Sequence, residues 1–333
     1  MERTASILIV TVNRPDHVRR CLEQALGQTP QPDQVVVIDA SDNDQTKMVV
    51  SQFPSVEYIY NPSGRGNTPN SRNAGLRVAK GEIIVFLDDD AFAHPGWLKN
   101  LLATYDEPNV GAVAGRALDL KPGEDQRGLD EIGKVMPNGR ITGFFAADPG
   151  GYVEVDHMLG ANMSFRRDVM AQLGGFRDDT PGGSSIVCEE TEMCLRVKQV
   201  GYRILFNPKS VVDHIPGPLF AGRRLDYRWE FNKCRNQPVM FIRIYGFGPL
   251  VFKYAFYIFG KTFWDFGRRI FEAFRYLSYC VAGSVIGFFV GTVYLLKERR
   301  NPIRNTPGGE EIRKLLSAAP VTSPPVPSDG NAE

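Results

Sequence analysis

Residues 81–91 read Gly-Glu-Ile-Ile-Val-Phe-Leu-Asp-Asp-Asp-Ala, and they limit the possible folds more than any other stretch. Ile83 to Leu87 is an unbroken apolar run, rich in β-branched and aromatic side chains and too short for an independent helix. That is the pattern of a strand buried on both faces. The run stops abruptly at Asp88, Asp89 and Asp90. Adjacent carboxylates repel one another, so a cation is expected to compensate them. Clustered oxygen ligands suit a hard divalent ion that also touches phosphate, Mg²⁺ or Mn²⁺. In open α/β sheets, ligands bind at this end of the strands. An acidic surface loop is the competing reading, and the motif without its context does not separate the two.

The preceding eighty residues carry the alternation that a parallel sheet requires. Ile7 to Val12 is a short buried strand. Val18, Cys21, Leu22, Ala25 and Leu26 recur at helical spacing, with Pro15 near the start and Gly27 at the end. Val35 to Ile38, closed by Asp39, and Val56 to Tyr60 read as further strands. Thr68-Pro69 opens a helix, a hydroxyl cap followed by proline at the first helical position, expected to run to Lys80 and stop at Gly81. The order predicts an α/β, Rossmann-like fold with a mostly parallel mixed sheet and helices on both faces.

Three strand ends then converge on one rim: Thr11 to Arg14, Asp39 to Asp42, and Asp88 to Asp90. Arg72 falls in the first turn of its helix, where backbone donors and the helix dipole favour an anion. Positive groups beside a metal-competent acidic cluster point to a phosphorylated nucleotide. Neither Gly-x-x-x-x-Gly-Lys-Ser/Thr nor a Gly-x-Gly-x-x-Gly after the first strand is present, which excludes a P-loop NTPase and a standard dinucleotide fold.

Composition narrows the class further. A net charge of +1 argues against nucleic acid as a partner, which demands a clear basic excess. The five cysteines, Cys21, Cys188, Cys194, Cys234 and Cys280, are scattered, odd in number and free of Cys-x-x-Cys, which fits a reducing compartment. The N-terminus makes a poor signal peptide, so the first domain is expected on the cytoplasmic side.

Past the aspartates, a helix is expected around Trp97 to Tyr105 and a strand around Val110 to Ala114, followed by a glycine- and proline-rich excursion over the site at 116–150. Leu159 to Phe165 reads as a strand, then a short helix from Asp168 stopped by Gly174-Gly175. In Cys188-Glu-Glu-Thr-Glu-Met-Cys-Leu-Arg196, Met193, Val197 and Val200 share a helical face, placing Glu189 and Glu190 in the first turn. Acidic residues there complement the helix dipole without further purpose. They also suit a general base, whose pKa the dipole lowers and the neighbouring acids raise. Arg203 to Phe206 and Val211 to His214 read as two strands, with His214 at a strand end as the aspartates are.

The run Ser71-Arg-Asn-Ala-Gly-Leu-Arg-Val-Ala-Lys-Gly-Glu-Ile-Ile-Val-Phe-Leu-Asp-Asp-Asp90 resembles the core motif of glycosyltransferase family 2. Gly160-Ala-Asn-Met-Ser-Phe-Arg-Arg167, Gly174-Gly-Phe176, Glu189 to Arg196, and Gly201-Tyr-Arg-Ile-Leu-Phe-Asn-Pro208 with His214 resemble its second half, in the expected order over roughly residues 5 to 215. The resemblance implies a GT-A fold and an inverting, metal-dependent transfer from a nucleotide sugar, a UDP-sugar first, to a glycan or lipid-linked acceptor. It implies that Thr11, Asn13, Arg14, Asp39, Arg72, Asp88 and Asp89 line the nucleotide-sugar pocket, with Asp39 on the base edge and Asp89 near the ribose. Asp88 and Asp90, with His214, are the implied ligands of Mn²⁺ or Mg²⁺. Glu190 aligns with the catalytic base, commonly Asp in the family, and Glu189 beside it leaves open which carboxylate acts. Val12 stands where many members of the family have Tyr, which implies weaker stacking on the base.

Residues 223–300 change character. Arg223, Arg224, Arg228, Lys233, Arg235 and Arg243 precede an apolar, aromatic region. Tyr276 to Leu296 is 21 residues without a charge, about 31 Å as a helix, enough to cross a bilayer core. Gly283, Gly287 and Gly291 recur every fourth residue, the close-packing pattern of membrane helices. Residues 249–267 contain Lys253 and Lys261 and better suit a helix at the membrane surface. A helical hairpin packed on the catalytic domain is the soluble alternative. The expected organisation is a catalytic domain over 1–222, a membrane-associating helical region over 223–300, as a surface helix or a single span, and a disordered tail over 301–333. Two rival functions fit the acidic rim: a sugar-phosphate nucleotidyltransferase, which releases pyrophosphate, and a non-catalytic membrane-bound sugar-binding scaffold.

Overall fold

A computed structural model describes residues 3–180, 188–215, 227–266, 270–297, 306 and 308–318. Strands β1 (Ala5–Thr11), β2 (Gln34–Asp39), β3 (Val56–Tyr60) and β4 (Ile83–Asp88) run parallel in the order β3-β2-β1-β4. Helices α1 (Pro15–Leu26), α2 (Gln45–Val50) and α3 (Thr68–Leu76) make the crossovers. Beyond β4 the sheet becomes mixed. Strand β8 (Asn162–Arg166) lies antiparallel between β4 and β6 (Val110–Leu118), and β6 pairs in parallel with β9 (Arg203–His214). Two short strands, β5 (Ala91–Ala93) and β7 (Val153–Glu154), pair antiparallel with β9.

Both faces of β4 are covered, as its unbroken apolar run requires. Successive side chains of a strand point to opposite faces. Ile83, Val85 and Leu87 pack with Val18 and Leu22 of α1 and with Leu98 and Leu101 of α4 (Trp97–Ala103). Ile84 and Phe86 pack with Leu76 of α3, Val169 of α5 (Arg167–Leu173), and Met193 and Val197 of α6 (Glu189–Gln199). Each such side chain contributes about 1.5–3 kcal/mol on burial. The acidic rim is therefore carried by a rigid central strand.

The C-terminal region is helical: α7 (Tyr227–Tyr245), α8 (Pro249–Phe266) and α9 (Ile270–Lys297). The glycine stripe of α9 seats the backbone of α7. A Cβ on Gly283 would lie 2.7 Å from the Phe231 carbonyl oxygen, one on Gly287 would overlap the Arg235 carbonyl, and one on Gly291 would lie 3.3 Å from Val239 Cα. A third apolar cluster, including Leu195, Met240, Phe241, Tyr254 and Ile258, joins α7 and α8 to α6. The inner faces of these helices are thus packed on the sheet domain while an outer apolar face stays exposed, Phe256 at 78% and Phe289 at 72%. Ser278–Lys297 is long and apolar enough to cross a membrane by length and composition.

Four local expectations change. Helix α3 ends at Leu76 rather than Lys80, because the amides of Lys80 and Gly81 donate to the Ser6 hydroxyl (3.1 and 2.7 Å) and the chain must turn to reach it. Its cap is Asn67, whose side chain accepts from the Asn70 amide at 3.2 Å, and not Thr68. Residues 203–214 form one strand instead of two; pairing with β6 slips between Gly115–Asn207 and Arg116–Val211, and the bulge takes in Pro208. Gly309–Ser317, in the stretch expected to be disordered, forms α10, whose Ile312 and Leu316 are buried four residues apart beneath the sheet. Residues 116–118 complete β6, and 119–150 hold short turns and an isolated bridge, Val135 to Ile141, and bury Ile132, Phe145 and Ala147 in the second core. The expected boundary at 222, with Arg223 and Arg224, lies outside the described residues.

Candidate active site

The parallel register brings the three predicted strand ends together. Thr11 sits opposite Asp39, and Val10 opposite Asp88. At the nucleotide end of this rim, Asp39 is fully buried and accepts from the Ser41 amide (2.8 Å) and the Tyr58 hydroxyl (2.9 Å). Burial, and then the hydrogen bond to Asp39, push the Tyr58 phenol above its ordinary range. Asn13 holds a left-handed backbone (φ 55°), a conformation that asparagine tolerates better than most side chains. Its amide donates to Ser41 Oγ at 2.7 Å and its Oδ1 accepts from the Asp42 amide at 3.2 Å, tying the loops after β1 and β2 to each other. Val12 is exposed beside them.

The three aspartates divide their work. Asp89 turns toward β1, where it accepts from Thr11 Oγ1 (2.7 Å) and Arg14 Nη1 (2.9 Å). Burial and the neighbouring aspartates, opposed by Arg14, push its pKa up to about 7. Asp90 also accepts from Arg14 Nη1, at 2.9 Å, and lies 3.5 Å from His214 Nε2. His214 arrives because β9 pairs it directly with Ala91. Asp88, Asp90 and His214 each offer one ligand atom, all within 4.8 Å of one another. Those spacings suit an ion bound at about 2.1 Å, and two carboxylates with one imidazole are a donor set that Mn²⁺ accepts. Asp89 stays outside this group.

Arg72 joins the acidic tip to the second motif. It is 2% exposed; Nη2 lies 3.5 Å from Asp88 Oδ1 and Nη1 donates to Glu189 Oε1 at 3.2 Å. Its Nε has no hydrogen-bond partner among the described residues, an orphaned buried donor of the kind that marks a ligand site. Glu189 and Glu190 open α6 side by side. Burial first, then the Glu190 charge, push Glu189 well above the carboxylate range, against the pull of Arg72. For Glu189, burial and crowding act in the same direction.

Several residues at the site carried no sequence signal of their own. Gly160 makes room for Arg72: a Cβ there would lie 2.5 Å from Nη2. Phe176 faces the guanidinium at 5.5 Å, and its amide and carbonyl are both held at 2.8 Å by the Asn73 side chain. Both lie inside the resembling motifs, which is the one place they stood out. His157 is buried behind the glutamates, donates from Nε2 to the Thr142 carbonyl at 2.6 Å, and is held below its ordinary pKa by burial. Because a carbonyl can only accept, His157 Nε2 carries a proton.

The arrangement sets a candidate cation site and a carboxylate pair on either side of one buried arginine, Arg72. Residues 6–174 match the family model described as Glycosyl transferase family 2. A glucosyl-dolichyl phosphate glucuronosyltransferase of Haloferax volcanii is 25% identical over 254 residues, covering 70% of this chain and 72% of that protein. The O-antigen chain rhamnosyltransferase WbaN of Salmonella anatum is 30% identical over 191 residues, covering 56% of this chain and 58% of that one, so the chain spans less than two thirds of its length. Among solved structures, the mannosyltransferase PcManGT of Pyrobaculum calidifontis, in complex with GDP-Man and Mn²⁺, aligns with a TM-score of 0.56 at 18% identity over 96% of this chain and 86% of its own. That likeness establishes the GT-A fold.

Proposed function

Because the chain belongs to glycosyl transferase family 2, we propose that it moves a sugar from a nucleoside-diphosphate sugar to a glycan or lipid-linked acceptor, with inversion at the anomeric carbon. The observation that carries this reading is Arg72, which lies within 3.5 Å of Asp88 and 3.2 Å of Glu189 and so joins the acidic tip of β4 to the carboxylate pair. Glu190 takes the acceptor hydroxyl proton as that oxygen attacks. Glu189, kept protonated by burial, donates to Glu190 and fixes its orientation. Arg72 offsets charge developing on the departing diphosphate. Thr11, Asn13, Arg14, Asp39 and Asp89 hold the nucleotide, with a UDP-sugar the first donor to try. Asp88, Asp90 and His214 hold Mn²⁺ or Mg²⁺, which when bound supplies Lewis-acid stabilisation of the leaving group. A single displacement needs no covalent intermediate, unlike the retaining hydrolases.

The named substrates of the relatives, glucosyl-dolichyl phosphate and O-antigen chains, support a lipid-linked or polymeric acceptor. The exposed apolar face of α8 and α9 supports attachment to a membrane; in this proposal residues 1–222 form the catalytic domain and lie on its cytoplasmic side. The test is a panel of UDP-glucose, UDP-glucuronate, GDP-mannose and dTDP-rhamnose with Mn²⁺ and membrane extract. Acceptor-dependent release of nucleoside diphosphate and an inverted anomeric proton signal are expected. Release of pyrophosphate, or retained configuration, would overturn the proposal.

A further inference from the structure

Resting on that reading, we infer that Arg243, on the C-terminal helices, is a positioning residue for the carboxylate pair. Its side chain is 1% exposed although it sits on α7, outside the sheet domain. Nη1 donates to Thr180 Oγ1 at 3.1 Å and lies 3.7 Å from Glu192 Oε2, while Nη2 donates to Asp179 Oδ2 at 3.3 Å. Its guanidinium stacks on Tyr294 of α9 at 3.8 Å, and the Tyr294 hydroxyl donates to the Asp179 carbonyl at 2.5 Å.

These contacts converge on both supports of the glutamates. Glu192 lies one turn along α6 from Glu189, on the same helical face. Asp179 and Thr180 follow Phe176, the ring that backs Arg72. Arg177 joins the cluster at 2.8 Å from Asp179 and 3.8 Å from Glu192. One side chain from α7 therefore sets where α6 begins relative to Arg72. Two hydrogen bonds, an ion pair at 3.7 Å and a ring around one planar fork are a geometry that lysine does not reproduce. A carboxylate misplaced by about 1 Å loses about 10²-fold in rate. The C-terminal helices complete the active site in addition to carrying its outer apolar face.

The test uses the full chain and compares Arg243→Lys, Glu192→Gln and the double variant. Arg243→Lys should lower kcat about 10- to 100-fold with the donor that wild type turns over, while Mn²⁺-dependent UDP affinity changes less than about twofold. The double variant should be no worse than the poorer single variant. A kcat within threefold of wild type, losses that multiply in the double variant, or a lost active fraction at unchanged kcat would each overturn the inference. Hydrogen exchange at the α6 amides, expected to quicken in Arg243→Lys while β4 is unchanged, decides the link independently of turnover. A wild type that turns over no donor would overturn the transferase reading instead.

Discussion

Gly160 and Arg72 are packed so closely that a single methyl group cannot be placed between them: a Cβ on Gly160 would stand 2.5 Å from Nη2. The backbone of Gly160 is not in the left-handed region, so alanine is excluded there by the guanidinium alone. Arg72 cannot retreat, with Phe176 on one side and Glu189 on another. Gly160→Ala should cost about 1–3 kcal/mol by overpacking and lower kcat/KM about 10- to 100-fold by turning Arg72 away from Asp88. Thermal unfolding and nucleotide release on the same preparation check both numbers. An active variant with wild-type kcat/KM would mean that Arg72 is not needed where it lies.

Asp89 and Asp90 are neighbours with different partners, and their variants should separate. Asp90→Ala removes one of three clustered ligand atoms, so calorimetric Mn²⁺ binding and sugar transfer should both vanish while the protein stays folded. Asp89 faces Thr11 and Arg14 instead. Asp89→Asn should keep Mn²⁺ affinity within about threefold and weaken UDP binding. Chelation with EDTA should reproduce the Asp90→Ala phenotype in wild type and be reversed by added Mn²⁺.

How much of this was legible beforehand follows from the range of the interactions involved. The buried strand with its acidic end, the crossover helices and the convergence of Thr11, Asp39 and Asp88 are set by local periodicity and by parallel pairing, which a sequence displays. The early end of α3 was hidden because it depends on Ser6, a residue some seventy positions away that takes the Lys80 and Gly81 amides. The single strand β9 was masked by Pro208, which a bulge accommodates. Helix α10 had its apolar pair, Ile312 and Leu316, in plain view, but the flanking proline- and serine-rich composition pointed the other way. The Arg243–Glu192 pair joins elements that no pattern links, so only tertiary packing exposes it.

Burial and the Glu190 charge raise Glu189, so it keeps its proton at pH values where an ordinary glutamate, near 4.5, has lost it. A carboxyl group raised in the folded state adds stability that is full below the unfolded pKa and is lost as pH rises through the folded one. Glu189→Gln mimics the protonated form and still accepts from Arg72. Its melting temperature should match wild type near pH 4 and exceed it at pH 8, and transfer should persist. Glu190→Gln should bind UDP and Mn²⁺ normally and lose transfer by at least about 10²-fold, the size of general-base assistance. If Glu189→Gln is the variant that abolishes transfer, the base is Glu189.

The outer face of the C-terminal helices carries Phe252 and Phe256 on α8 and Val285, Phe289, Val293 and Leu296 on α9, all more than a third exposed. Their spacing by roughly one helical turn places each set on one side of its helix, while the glycine stripe of α9 faces α7. Large apolar patches on a soluble surface are uncommon and mark an interaction site. Burying one phenylalanine in the acyl boundary contributes about 1.5–3 kcal/mol, or roughly 10- to 150-fold in vesicle affinity. Phe256→Glu and Phe289→Glu should each reduce cosedimentation with anionic lipid vesicles by at least that factor. Neither side chain is packed inside the protein, so the melting temperature in detergent should move by less than about 2 °C, in line with surface substitutions. Equal vesicle binding by wild type and both variants would show that lipid does not cover this face.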